Sequence, residues 1–78
     1  MSWTRIGGEE MQMSARNQLA GRIKKVKVGN VMTEVIVQVG DQEVVAAITS
    51  GSAKRMKLKI GDQVFAIIKA TEVMIAKE

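Results

Sequence analysis

Three short clusters carry the polar chemistry of this chain: Ser14-Ala15-Arg16-Asn17, Thr49-Ser50-Gly51-Ser52 and Lys69-Ala70-Thr71. Arg16 offers a rigid fork of N–H donors with a permanent charge, and Lys69 a mobile ammonium. Ser14, Thr49, Ser52 and Thr71 supply hydroxyls, and Asn17 an amide. Gly51 allows close approach of the backbone, and the helical turn expected to start near Ser52 exposes unpaired N–H groups. Directed neutral donors plus one or two cations are what a small oxyanion needs, because it is held by hydrogen bonds that point at its oxygens. Each residue also has an ordinary use. Ser14 suits a turn, Asn17 can satisfy nearby backbone, Thr49 suits a strand, Ser50 or Ser52 suits a helix cap, and Lys69 suits an edge strand.

Other chemistries find less support. The sequence has no histidine and no cysteine, which removes thiolate nucleophiles, disulfides and the usual zinc ligands. The carboxylates Glu9, Glu10, Glu34, Asp41, Glu43, Asp62, Glu72 and Glu78 show no spacing that selects an acid–base pair. The chain is therefore expected not to be an enzyme. Its formal charge of +4 favours anionic partners. A basic run, Arg22, Lys24, Lys25 and Lys27, suggests nucleic acid, but Trp3 and Phe65 are the only aromatics on which bases could stack. A nucleic-acid-binding module and a purely structural oligomerisation protein are the alternatives.

With 78 residues the chain holds at most one small domain. At 46% hydrophobic it has more aliphatic surface than one small core needs, which predicts an oligomer. No apolar run is long enough to span a membrane, and the N-terminus lacks the apolar core of a signal peptide. A cytoplasmic location is expected, and the absence of cysteine is compatible with it.

The clusters sit at the ends of β-like runs. Residues 1–12 show no convincing period and read as a flexible extension before a domain at 13–78. Alternation begins near Gln18 and slips phase between Ile23 and Val26, as a bulge would cause. Gly29-Asn30 and Gly40-Asp41 read as turns flanking a strand at 31–39, with Val31, Val35, Val37 and Val39 toward the core. Residues 42–49 form a third strand, apolar on both faces. A single helical turn at 53–56 follows, with Leu58 and Ile60 packing back on the core. The last strands are placed at 63–69 and 72–77. This pattern predicts an all-β fold, a small OB-like barrel of five strands with one short helical turn, assembled as an oligomer. An SH3-like barrel has similar strand lengths, and periodicity does not separate the two.

Residues 13–76 closely resemble the molybdenum-binding Mop domain family, the small molbindin proteins. The resemblance rests on Ser14-Ala15-Arg16-Asn17, Ala47-Ile48-Thr49 leading into Ser52, Leu58 with Gly61-Asp62-Gln63-Val64, and Ile68-Lys69-Ala70-Thr71-Glu72-Val73-Met74-Ile75. It implies an OB-like domain that binds molybdate, and tungstate as well, for intracellular storage or homeostasis. No organic cofactor is implied. It further implies sites formed between subunits of a homo-oligomer, a hexamer built as a trimer of dimers. On this resemblance Ser14 and Arg16 are ligands near the first strand, with Asn17 beside them. Thr49 and Ser52 flank the central loop, and Lys69, Ala70 and Thr71 lie between the last strands. Oxygen atoms of the anion, not the metal, would meet the protein. The chain holds neither a helix-turn-helix segment nor a Walker-type loop, so a complete regulator or a transporter ATPase is not expected.

Overall fold

The structure, a computed structural model, describes residues 15–78 and the backbone of 5–6 and 9–10. A two-residue ladder pairs β1 (Arg5–Ile6) with β2 (Glu9–Glu10), where no strand was expected. The expectation of a flexible extension otherwise falls outside the described residues, as does Ser14.

The domain is built from β3 (Asn17–Val28), β4 (Met32–Val39), β5 (Gln42–Thr49), α1 (Ser50–Arg55), β6 (Gln63–Ile68) and a 3-10 turn at Ala70–Glu72. The strands form one antiparallel sheet in the order β5-β4-β3-β6. β3 is long enough to serve two neighbours. Its first half pairs with β6 from Asn17↔Ile68 to Arg22↔Gln63, and its second half pairs with β4 from Arg22↔Gln38 to Val28↔Thr33.

The phase slip read from the sequence is a bulge. Ile23 faces Val37 and Lys25 faces Ile36, leaving Lys24 without an opposite residue. The extra residue returns Val26 to the inner side and frees Lys24 to ion-pair with Glu43 on β5. Next to the bulge, Ile23 N donates to Asp62 O at 2.9 Å and Gly61 N donates to Ile23 O at 2.8 Å, so the 61–62 turn satisfies the strand backbone. Gly21 marks the point where β3 crosses close to β4. A Cβ there would lie 2.4 Å from Gln38 O and 2.7 Å from Val37 Cγ1.

Ile23, Val35 and Val37 form the buried centre, with Val26, Val39, Val44, Ile48, Leu58 and Val64 packed around it. Thr33 is the most buried residue of β4, at 0% exposure. Its hydroxyl lies 2.8 Å from Ser50 Oγ, which itself donates to Gly29 O at 2.7 Å. Together with Ser50 N donating to Val31 O at 2.8 Å, these bonds fasten α1 to the β3–β4 connection.

The expected five-stranded OB-like barrel is not what forms. Four strands make an open sheet, and its outer strands, β5 and β6, do not pair with each other. The sheet curls around an apolar trough of about 270 Å³ lined by residues such as Ile23, Val37, Ile48, Leu58, Val64 and Phe65. Residues 72–77, read as a fifth strand, carry none. The 3-10 turn leads into an extended end whose Met74 and Ile75 are 92% and 89% exposed. An alternating apolar segment becomes a strand only where a neighbour accepts its backbone bonds, and none is present for it among the described residues.

Two core assignments also fail. Val31 lies in the connection before β4 and is 73% exposed, while Thr33 takes the inward position. Ile60 is 69% exposed, because the turn at Gly61 (φ 94°) carries it outward, whereas Leu58 does pack on the core. The helix begins at Ser50 and not at residue 53, since Thr49 is its cap.

Candidate oxyanion site

Arg16 and Asn17 of the first cluster lie at the same end of the β3–β6 ladder as the third cluster. Asn17 opens β3 and faces Ile68, the last residue of β6. In an antiparallel pair the residues just outside the ladder, Arg16 and Lys69, therefore share that end. Gln18 Nε2 donates to Ala15 O at 2.7 Å and folds the segment before β3 into a bend. On the other side, Lys69 precedes the 3-10 turn and accepts from Glu72 N at 2.9 Å, which leaves Lys69, Ala70 and Thr71 exposed. Among the described residues, no carboxylate pairs with Arg16 or Lys69. Two cations and a threonine hydroxyl thus belong to the same end of the strand pair, all three residues exposed, with Asn17 half-buried at the start of β3.

The second cluster is organised around the start of α1. Thr49 Oγ1 accepts from Ser52 N at 3.1 Å, the usual side-chain cap of a helix. The same hydroxyl donates to Ser52 Oγ at 2.8 Å, and Arg55 Nη2 donates to that oxygen at 3.1 Å. Ser50, by contrast, is buried and spent on Thr33 and Gly29. Arg55 was not singled out in the sequence. Its signal is the three-residue spacing from Ser52, which puts both on one face of a helical turn.

The structure does not unite all three clusters in one chain. Thr49 faces Met32, at the end of the sheet where β3 finishes with Val28. Arg16 stands at the other end of β3, on the order of 35 Å away along the strand. No hydrogen bond among the described residues joins Thr49, Ser52 or Arg55 to Arg16, Asn17, Lys69 or Thr71. The described residues also contain no group of three or more acidic side chains able to ligate a metal ion.

Comparison with known proteins shows the family of the chain. Residues 13–75 match the family model of the TOBE domain. The chain is 44% identical over 69 residues to the molybdenum transport protein ModE of Herbaspirillum seropedicae, a match covering 87% of this chain and 26% of that protein. It thus spans about a quarter of the length of that relative. A molybdate-binding protein from Sporomusa ovata superposes with a TM-score of 0.82 at 39% identity, covering 86% of this chain and 100% of the other. The cytoplasmic molybdate-binding protein ModG, in a form with molybdate bound, gives a TM-score of 0.72 at 33% identity over 77% of this chain and 43% of that one. The sequence match spans most of the described domain, and the Sporomusa likeness runs the full length of that protein. The chain belongs to the TOBE-domain family, within its Mop, or molbindin, group.

Proposed function

We propose that this protein binds molybdate, and tungstate alike, as an intact oxyanion, and that it serves molybdenum storage or homeostasis in the cytoplasm without catalysis. The observation that carries this reading is the Asn17↔Ile68 pairing. It sets the Arg16 motif and the Lys69-Ala70-Thr71 motif, about fifty residues apart in sequence, at one end of one strand pair. The family relationship supplies the ligand: the Sporomusa ovata protein and ModG are both molybdate-binding proteins.

In this reading Ser14, Arg16, Asn17, Lys69, Ala70 and Thr71 form one half of the oxyanion seat, and Thr49 and Ser52 the other. Arg16 makes a forked contact to two oxygens and Lys69 balances the charge. Because the two halves lie at opposite ends of β3, subunits of a homo-oligomer bring them together. The surface supports such assembly: Val45, Met32, Ile67, Met74 and Ile75 are exposed in the single chain, and the trough between β5 and β6 is open. The finer arrangement is a hexamer, a trimer of dimers. Residues 13–78 constitute the binding domain and 1–12 an extension to it.

Substituting Arg16 by Ala tests the site. A charged hydrogen-bond donor is worth ~1.5–3 kcal/mol, so affinity for molybdate is expected to fall about ten- to a hundredfold in a variant that still assembles. Unchanged affinity in the assembled variant would remove Arg16 from the site.

A further inference from the structure

Ser52 Oγ is engaged in an unusual way. It accepts one hydrogen bond from Thr49 Oγ1 at 2.8 Å and a second from Arg55 Nη2 at 3.1 Å. A serine hydroxyl has two acceptor lone pairs and one donor hydrogen. Both lone pairs are filled, so the hydrogen is directed away from Thr49 and Arg55, and no acceptor for it occurs among the described residues. Arg55 uses one of its five N–H donors on Ser52, and among the described residues it has no carboxylate partner. Its side chain is exposed on the last residue of α1, free to offer the remaining fork.

We infer that Arg55 is a further anion-contacting residue of the molybdate seat, acting with the Ser52 hydroxyl as a paired donor. This inference rests on the molybdate-binding reading of Thr49 and Ser52 and extends it. Arg55 does two things. It polarises Ser52 as a donor by occupying the second lone pair, and it brings a fixed positive charge to the half of the site that otherwise holds only neutral hydroxyls. The oxyanion would then meet positive charge from both halves, Arg16 and Lys69 on one side and Arg55 on the other.

The alternative is that Arg55 merely braces the helix end. It is solvent-exposed, and its one bond lies within a single helical turn, so that role predicts no effect on binding. The two roles separate cleanly by experiment. Sodium molybdate is titrated calorimetrically into wild type, Arg55→Gln and Arg55→Lys at two salt concentrations. Assembly is checked by light scattering and apo-protein melting is recorded. The expected result is wild-type binding that weakens about tenfold in R55Q, with partial recovery in R55K, and with a shallower salt dependence in R55Q because one cation has been removed. Apo melting and assembly stay unchanged. Wild-type-like affinity and salt dependence in R55Q would overturn the role of Arg55 while leaving the molybdate reading intact. Loss of assembly or a lowered melting temperature in R55Q would make the residue structural and overturn the inference as well. Absence of molybdate binding by wild type would overturn both readings together.

Discussion

The fastening of α1 to the sheet can be tested by a double-mutant cycle on Thr33 and Ser50. Ser50 Oγ donates to Gly29 O at 2.7 Å, which commits its hydrogen, so Thr33 is the donor in the 2.8 Å bond between the two hydroxyls. Thr33→Val keeps the shape, removes that donor and leaves no orphaned hydrogen. It should cost about 1.5 kcal/mol, the net value of one buried hydrogen bond and a little more. Ser50→Ala removes both bonds and strands the Thr33 hydroxyl, at 0% exposure, without a partner, for a cost of about 3 kcal/mol. The double variant loses the same two bonds but strands no buried hydroxyl, so its cost should fall below that of Ser50→Ala, to about 2 kcal/mol. The two substitutions would then fall short of additivity by about 2.5 kcal/mol, within the range of coupling between residues in direct contact. Urea unfolding followed by circular dichroism at one fixed protein concentration measures this, the concentration being held because assembly is linked to stability. Additive costs, or a Thr33→Val variant within ~0.5 kcal/mol of wild type, would refute the arrangement of these hydroxyls.

Two further substitutions probe the backbone. Gly21→Ala should destabilise the protein by about 3 kcal/mol, at the upper end for overpacking, because the new methyl meets Gln38 O at 2.4 Å and backbone cannot step aside as a side-chain tip can. A thermal melt reads this, and an unaltered melting temperature would contradict the close crossing of β3 and β4. Lys57 has φ 53° just after α1, in the left-handed region that glycine occupies freely. Lys57→Gly should therefore stabilise the protein by ~1 kcal/mol, and a lowered urea midpoint would show that the Lys57 side chain contributes more than its backbone costs.

Much of the fold is local and so could be read from the chain. The bulge was visible as the slip from Ile23 to Val26, since a period of two cannot otherwise put both inside. The turn at Gly40 was marked by residue type, and the φ of 58° found there is what the glycine permits. Thr33 escaped the core assignment because a hydroxyl reads as polar until its partner, Ser50, is known. Residues 72–77 and the closed barrel failed for a shared reason. Alternation reports which face of a strand is apolar, but not whether another strand lies beside it, and here β5 and β6 do not pair.

The site was legible to a similar depth. The three donor clusters were visible as residue types, and the Asn17↔Ile68 register brings two of them together. The third lies near the far end of β3, a separation that depends on strand order and not on any motif. Arg55 was missed because its spacing from Ser52 becomes a signal only once the helical turn is known to begin at Ser50. Only the bond to Ser52 distinguishes it from Lys54 and Lys57.

The central claim is that this chain seats an intact tetrahedral oxyanion. Calorimetric titration with molybdate, tungstate and sulfate at physiological salt, on protein of verified assembly state, tests it most directly. Saturable binding of molybdate and tungstate with a fixed stoichiometry per oligomer, and no binding of sulfate, is the predicted result. An intact oligomer that binds neither molybdate nor tungstate would contradict the account.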